Sequence, residues 1–132
     1  MCLEIKSRIK PIPYISLWPK TYYKVLAIKE GQYSSPYQHS PVELNSVLQS
    51  AKSNNIIKGI YRPNTWLVKE GWFHLYKNKC DAGLDIRFLN QIKCARHLIV
   101  KATIPAFTRY LKGKFYDADC ICTKRVKYSL IK

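Results

Sequence analysis

The run Thr21–Lys29 (TYYKVLAIK) places apolar side chains on both faces of an extended chain. Tyr23, Val25 and Ala27 point one way, and Tyr22, Lys24, Leu26 and Ile28 the other. Such a strand needs cover on both sides, so it belongs in the middle of a sheet. The remaining elements are arranged around it.

Residues 1–20 carry Pro11, Pro13 and Pro19. Proline cannot serve a central ladder, so this segment reads as an extended, Pro-rich N-terminal arm with one short strand. Gln32–Pro41 is a loop rich in Ser, Pro and Tyr. Glu43–Ser53 has Leu44, Val47, Leu48 and Ala51 at helical spacing, although Val42-Glu43-Leu44 also suits a strand. Thr65–Tyr76 reads as a hairpin about Lys69-Glu70-Gly71. Asp81–Arg96 is the strongest helix, with Asp81 as N-cap and Leu84, Phe88, Ile92 and Ala95 as its buried stripe. Strands follow at His97–Ile104, at Phe107–Lys112 closed by Gly113, and at Cys120–Ile131. In the last, Cys120, Cys122, Val126, Tyr128 and Leu130 share one face, and Arg125 and Lys127 share the other. The expected fold is α+β: a single domain over 1–132, with a mainly antiparallel sheet of five or six strands and one main helix (81–96) packed on it.

Charge constrains the partner. Twenty-three Lys+Arg against eight Asp+Glu leave a net +15. Self-repulsion at that level costs stability, and an anionic partner offsets it. A membrane surface would use the same charge but usually through a basic amphipathic helix, and the sequence shows none, so no membrane partner is expected. Met1-Cys2-Leu3 runs straight into Glu4 and Lys6 without an apolar stretch, and the odd set of five cysteines does not resemble a secreted disulfide framework. The cytoplasm is the expected compartment.

Candidate ligand residues fall into two groups. Basic side chains of the last third, Arg109, Arg125 and Lys127 among them, are interleaved with aromatics such as Tyr110. Cations hold phosphate through charge-assisted hydrogen bonds, and ring faces stack bases. A solvated face over core aromatics has the same composition. Trp72, His74 and Tyr76 would share one side of a strand, and Tyr37 lies in the Ser-Pro-Tyr loop. His74 has no recognisable orienting partner, so a core histidine explains it equally well. Cys120-x-Cys122 lacks knuckle spacing and reads as buried apolar filler. Asp117 and Asp119 read as turn residues. No Gly-rich phosphate loop, G-x-S-x-G or H-E-x-x-H motif occurs. No catalytic residue, metal site or cofactor is expected.

Several short motifs stand in order along the chain: Met1-Cys2, Tyr23-Lys24-Val25-Leu26, Ser35-Pro36-Tyr37, Gly71-Trp72-Phe73-His74, Ile104-Pro105, Tyr110, Gly113 and Tyr116-Asp117-Ala118. In these the chain resembles a family of small proteins found in bacteriophages, Bacteroidetes-type bacteria and large DNA viruses. It departs in an extra aromatic before His74 and in Asp119-Cys120 after Ala118. The resemblance implies no activity. It implies a phage setting, where a basic protein would counter host defence by sequestering a nucleotide signal in the host cytoplasm. Charge, rings and resemblance together suggest a non-catalytic binder of a nucleotide or other phosphorylated small molecule. The alternatives are a nucleic-acid binder and a nucleotide-acting enzyme using His74; a homo-oligomer is compatible with each.

Overall fold

The computed structural model describes residues 2–35, 41–50, 55–60, 62–69, 72–92 and 96–131. The chain forms one antiparallel sheet of thirteen strands with a single helix among the described residues. This corrects the expected α+β fold of five or six strands with one main helix: the chain is mostly antiparallel sheet, with one short helix among the described residues. The difference lies in short segments of two to five residues, which neighbours stabilise and which carry no alternation long enough to read.

The strands are β1 (Cys2–Lys6), β2 (Tyr14–Ile15), β3 (Lys20–Lys29), β4 (Gln32–Ser34), β5 (Pro41–Val42), β6 (Val47–Gln49), β7 (Asn55–Lys58), β8 (Thr65–Lys69) and β9 (Phe73–Tyr76). Helix α1 (Lys79–Ile92) precedes β10 (Arg96–Ile104), β11 (Arg109–Phe115), β12 (Ala118–Thr123) and β13 (Arg125–Leu130). The main path is open and runs β6-β13-β10-β3-β9-β12-β11-β1-β8-β7, with β2 on β11, β4 on β3 and β5 on β4. The surface is 8635 Å². That exceeds the roughly 7,000 Å² expected for a compact chain of this mass, as an open sheet requires.

β3 is central, with a long ladder to β10 from Lys20↔Ile104 to Ile28↔Arg96. Its other edge meets β9 at one pair only, Tyr23↔Tyr76. There Lys24 Nζ donates to the His74 carbonyl at 3.0 Å, a side chain standing in for a missing ladder bond. Both faces of β3 are covered. Tyr23 and Val25 join a core under α1 with Leu3, Val68, Trp72, Tyr76, Leu111, Cys120 and Cys122. Tyr22 and Leu26 join a core on the far face with Leu75, Val100, Ile121, Val126 and Tyr128, covered by Tyr33, Val42, Leu44 and Leu48.

Several expectations change in detail. The N-terminal arm is not an appendage: β1 lies between β11 and β8, and Leu3 is fully buried. The expected hairpin does not form, because β8 pairs with β1 and β7 while β9 pairs with β12 and β3. The proposed helix at 43–53 is instead a turn followed by β6, paired with β13, and residues 51–54 lie outside the description. Helix α1 starts after Asn78, with Asp81 in its first turn rather than at the cap, where a carboxylate suits the dipole. Its buried side chains are Ala82 and Leu89, with Ile86 packed beside them. Leu84 is exposed. The expectations for Phe88, Ile92 and Ala95 lie outside the described side chains. Arg96 opens β10 instead of ending the helix.

Gly113 sits inside β11 instead of closing it. A Cβ there would lie against the Glu4 carbonyl oxygen and 2.8 Å from Leu3 Cγ, so only glycine lets β1 approach. The last strand is two, broken at Lys124. The break shifts the alternation by one: Cys120 and Cys122 enter the helix-side core, whereas Val126 and Tyr128 enter the far core.

Candidate anion-binding face

The far face of β11 carries Tyr110, Lys112 and Lys114, alternating with Leu111 of the helix-side core. β2 lies along β11 with Tyr14 opposite Tyr110. Their rings stack at 5.6 Å between centroids and 30° between planes. Lys20, on the same face of β3 as Tyr22 and Leu26, donates from Nζ to Tyr110 Oη at 2.9 Å. Its ammonium lies 4.8 Å from the Tyr110 ring centroid, and that of Lys112 lies 5.4 Å from Tyr14 and 6.0 Å from Tyr110. The hydrogen bond to Tyr110 raises the Lys20 pKa against a smaller lowering by burial. Burial raises that of Tyr22. Cation–π attraction holds the two amines against the rings.

This cluster opens onto a groove of about 850 Å³ lined in part by Lys6, Tyr14, Arg62, Lys112 and Lys114. The groove also contains Glu4, Asp117 and Asp119. Arg62 pairs with Glu4 at 3.2 Å and Lys114 with Asp119 at 4.0 Å. Among the described residues, Lys6, Lys20 and Lys112 have no carboxylate within ion-pair distance. A second groove of about 550 Å³ shares Lys6 and Arg62 and adds Arg8. Lys6 and Arg62 are thus common to both grooves.

The expected ligand residues are divided by the sheet. Tyr110 is in the cluster, and its partners are Tyr14, Lys20 and Lys112 instead of Arg109, Arg125 and Lys127. Arg109 shares the helix-side face with Leu111, and Arg125 and Lys127 alternate with Val126 and Tyr128 of the far core, so all three lie on the opposite face. Arg109 and Lys127 are exposed. Arg125 is committed to the chain itself: Nε donates to Thr108 Oγ1 at 3.2 Å and Nη2 to the Ala106 carbonyl at 3.0 Å. Tyr37 lies outside the described residues. Trp72 and Tyr76 belong to the helix-side core.

His74 is buried opposite Cys122. Among the described residues, neither of its ring nitrogens has a hydrogen-bond partner. Burial, and then the Lys24 charge, lowers its pKa to about 3, so it is neutral in the fold. Burial also lowers Lys24 to about 8 and raises Cys120 to about 12. His74 lines none of the grooves described here, and no group of three potential metal ligands occurs among the described residues. A third cavity, about 470 Å³ between the start of α1 and the β11–β12 turn, is lined by Asp81 and Asp85 with Tyr76, Phe115 and Tyr116. Its acidic rim has the wrong sign for phosphate.

Sequence reading missed Tyr14, Lys20, Lys6 and Arg62 as ligand candidates. The one available signal was Tyr14 within a basic arm free of acids from Ile5 to Lys29. Its meeting with Tyr110 depends on a two-residue strand. No protein-family model, curated protein or solved structure matches the chain.

Proposed function

We propose that the protein is a non-catalytic binder of a phosphate-bearing ligand, a nucleotide or nucleotide-derived signal, held on the far face of β11. The observation that carries this is the stacked Tyr14–Tyr110 pair with Lys20 and Lys112 on its rings. The ammonium groups supply charge-assisted donors to phosphate, and the half-exposed Tyr14 ring supplies a stacking surface. Sequestration is the mode: the buried, neutral His74 is remote from this face, and the cluster offers cationic donors beside stacked rings. In the phage setting implied by the sequence resemblance, the ligand would be a host defence signal.

The test is a thermal-shift and calorimetric screen against cyclic dinucleotides, ADP-ribose derivatives and mononucleotides. One class should stabilise the protein with one-to-one stoichiometry, and Lys20→Ala or Lys112→Ala should each weaken binding about tenfold. No stabilisation by any of them would overturn the reading.

A second reading rests on the cations Lys6, Arg62 and Arg8 that line the two grooves. A single strand of nucleic acid would follow them. It would show affinity that grows with oligonucleotide length and falls with salt at a log–log slope of about −0.7 per neutralised phosphate.

A further inference from the structure

Ser16 is almost completely buried between two loops. Its N–H donates to the Thr108 carbonyl at 2.9 Å, and its carbonyl accepts from Phe107 N–H at 2.6 Å. Its hydroxyl donates to the Pro105 carbonyl at 2.8 Å and accepts from Thr108 N–H at 2.9 Å. Arg125 braces the same turn through Thr108 and Ala106. The neighbours of this lock point outward: Leu17 is 65% exposed, Trp18 63% and Phe107 74%, with Ile12 and Ile15 exposed beside them. Phe107 is held at φ 57°, a conformation that a bulky side chain rarely adopts. The fold therefore uses buried hydrogen bonds and a strained residue to display large apolar groups at two loop tips. Large apolar side chains left exposed around one buried lock mark an interaction surface.

The charge around it identifies the partner. No acidic residue occurs from Ile5 to Lys29 or from Ile86 to Tyr116, the segments that build the patch. Lys10 and Arg109 are exposed at its rim, and the Lys124 N–H donates to the Arg109 carbonyl at 3.1 Å. A second copy of the chain would bring the same unrelieved cations against these. A protein partner would need a separate pocket for each protruding side chain. A bilayer accepts protruding Trp, Phe and Leu without pre-shaped pockets, and anionic headgroups neutralise a basic rim. We infer that the loops at Ile12–Trp18 and Pro105–Thr108 form an attachment surface for an anionic phospholipid membrane. The sequence shows no basic amphipathic helix for this purpose; two locked loops supply the same chemistry. The inference goes beyond the nucleotide reading and does not depend on it.

The test is co-sedimentation of the full chain with vesicles of phosphatidylcholine alone and of phosphatidylcholine mixed with phosphatidylserine. Binding should be selective for the anionic vesicles, with a blue shift of tryptophan emission that Trp18→Phe removes. Trp18→Ser combined with Phe107→Asn should weaken binding about tenfold or more while leaving circular dichroism and nucleotide titration unchanged. Lys10→Glu with Arg109→Glu should weaken it most at low salt. Equal partition onto both vesicle types, no partition at all, or full binding by the Trp18→Ser/Phe107→Asn variant would overturn the inference. So would a dimer abolished by that variant without any vesicle binding.

Discussion

Phe107 and His74 show opposite uses of an unfavourable residue. Phe107 occupies left-handed backbone and keeps its ring in solvent, so little burial offsets the strain. Phe107→Gly should stabilise the protein by about 1 kcal/mol in urea melts while removing an apolar anchor. His74 is costly in a different way: its imidazole stays neutral in the fold with a pKa near 3 against an ordinary 6.5. Between those values the unfolded chain binds the proton and the folded chain does not. Stability is therefore complete above pH 6.5 and falls as pH drops toward 3, by roughly 1.4 kcal/mol per pH unit from this group within the window. His74→Leu should flatten that part of a Tm-against-pH curve. An unchanged curve would show that the histidine is solvated.

At the scale of elements, the two halves of the sheet depend on different contacts. β1 reaches β11 only because Gly113 has no side chain, and that contact sets Lys6 beside Lys112 and Lys114 in one groove. Gly113→Ala should cost about 3 kcal/mol and speed hydrogen exchange along β1 more than along β10. Arg125 gives a complementary case. Its charge among the aromatics of the last third suggests a ligand residue, whereas its hydrogen bonds hold the turn after β10. Arg125→Ala should lower stability by about 2 kcal/mol and loosen residues 105–108, with nucleotide affinity nearly unchanged. A folded, stable variant that has lost affinity would return Arg125 to the binding site.

Over the whole molecule, 23 Lys+Arg face only eight Asp+Glu, so most cations lack a carboxylate; Arg62–Glu4 and Lys114–Asp119 are two ion pairs among the described residues. The uncompensated cations repel across an open sheet, so screening should help folding. Raising sodium chloride should raise Tm, and a polyanion such as heparin should raise it further at equal ionic strength. A Tm that falls with salt would mean that local ion pairs outweigh the repulsion.

The central strand was legible because Thr21–Lys29 is apolar on both faces, and that pattern has one stable solution. β10, the helical nature of 81–92 and the basic excess were legible for similar local reasons. The short strands β2, β4, β5 and β6 were not, because their pairing is decided by distant partners and not by their own residues. Nor was the candidate site. Alternation along β11 puts Tyr110 and Arg109 on opposite faces, but only the fold could bring Tyr14 and Lys20, far away in sequence, onto Tyr110. A residue's face follows from chain geometry within a strand, whereas its neighbours follow from which strands meet.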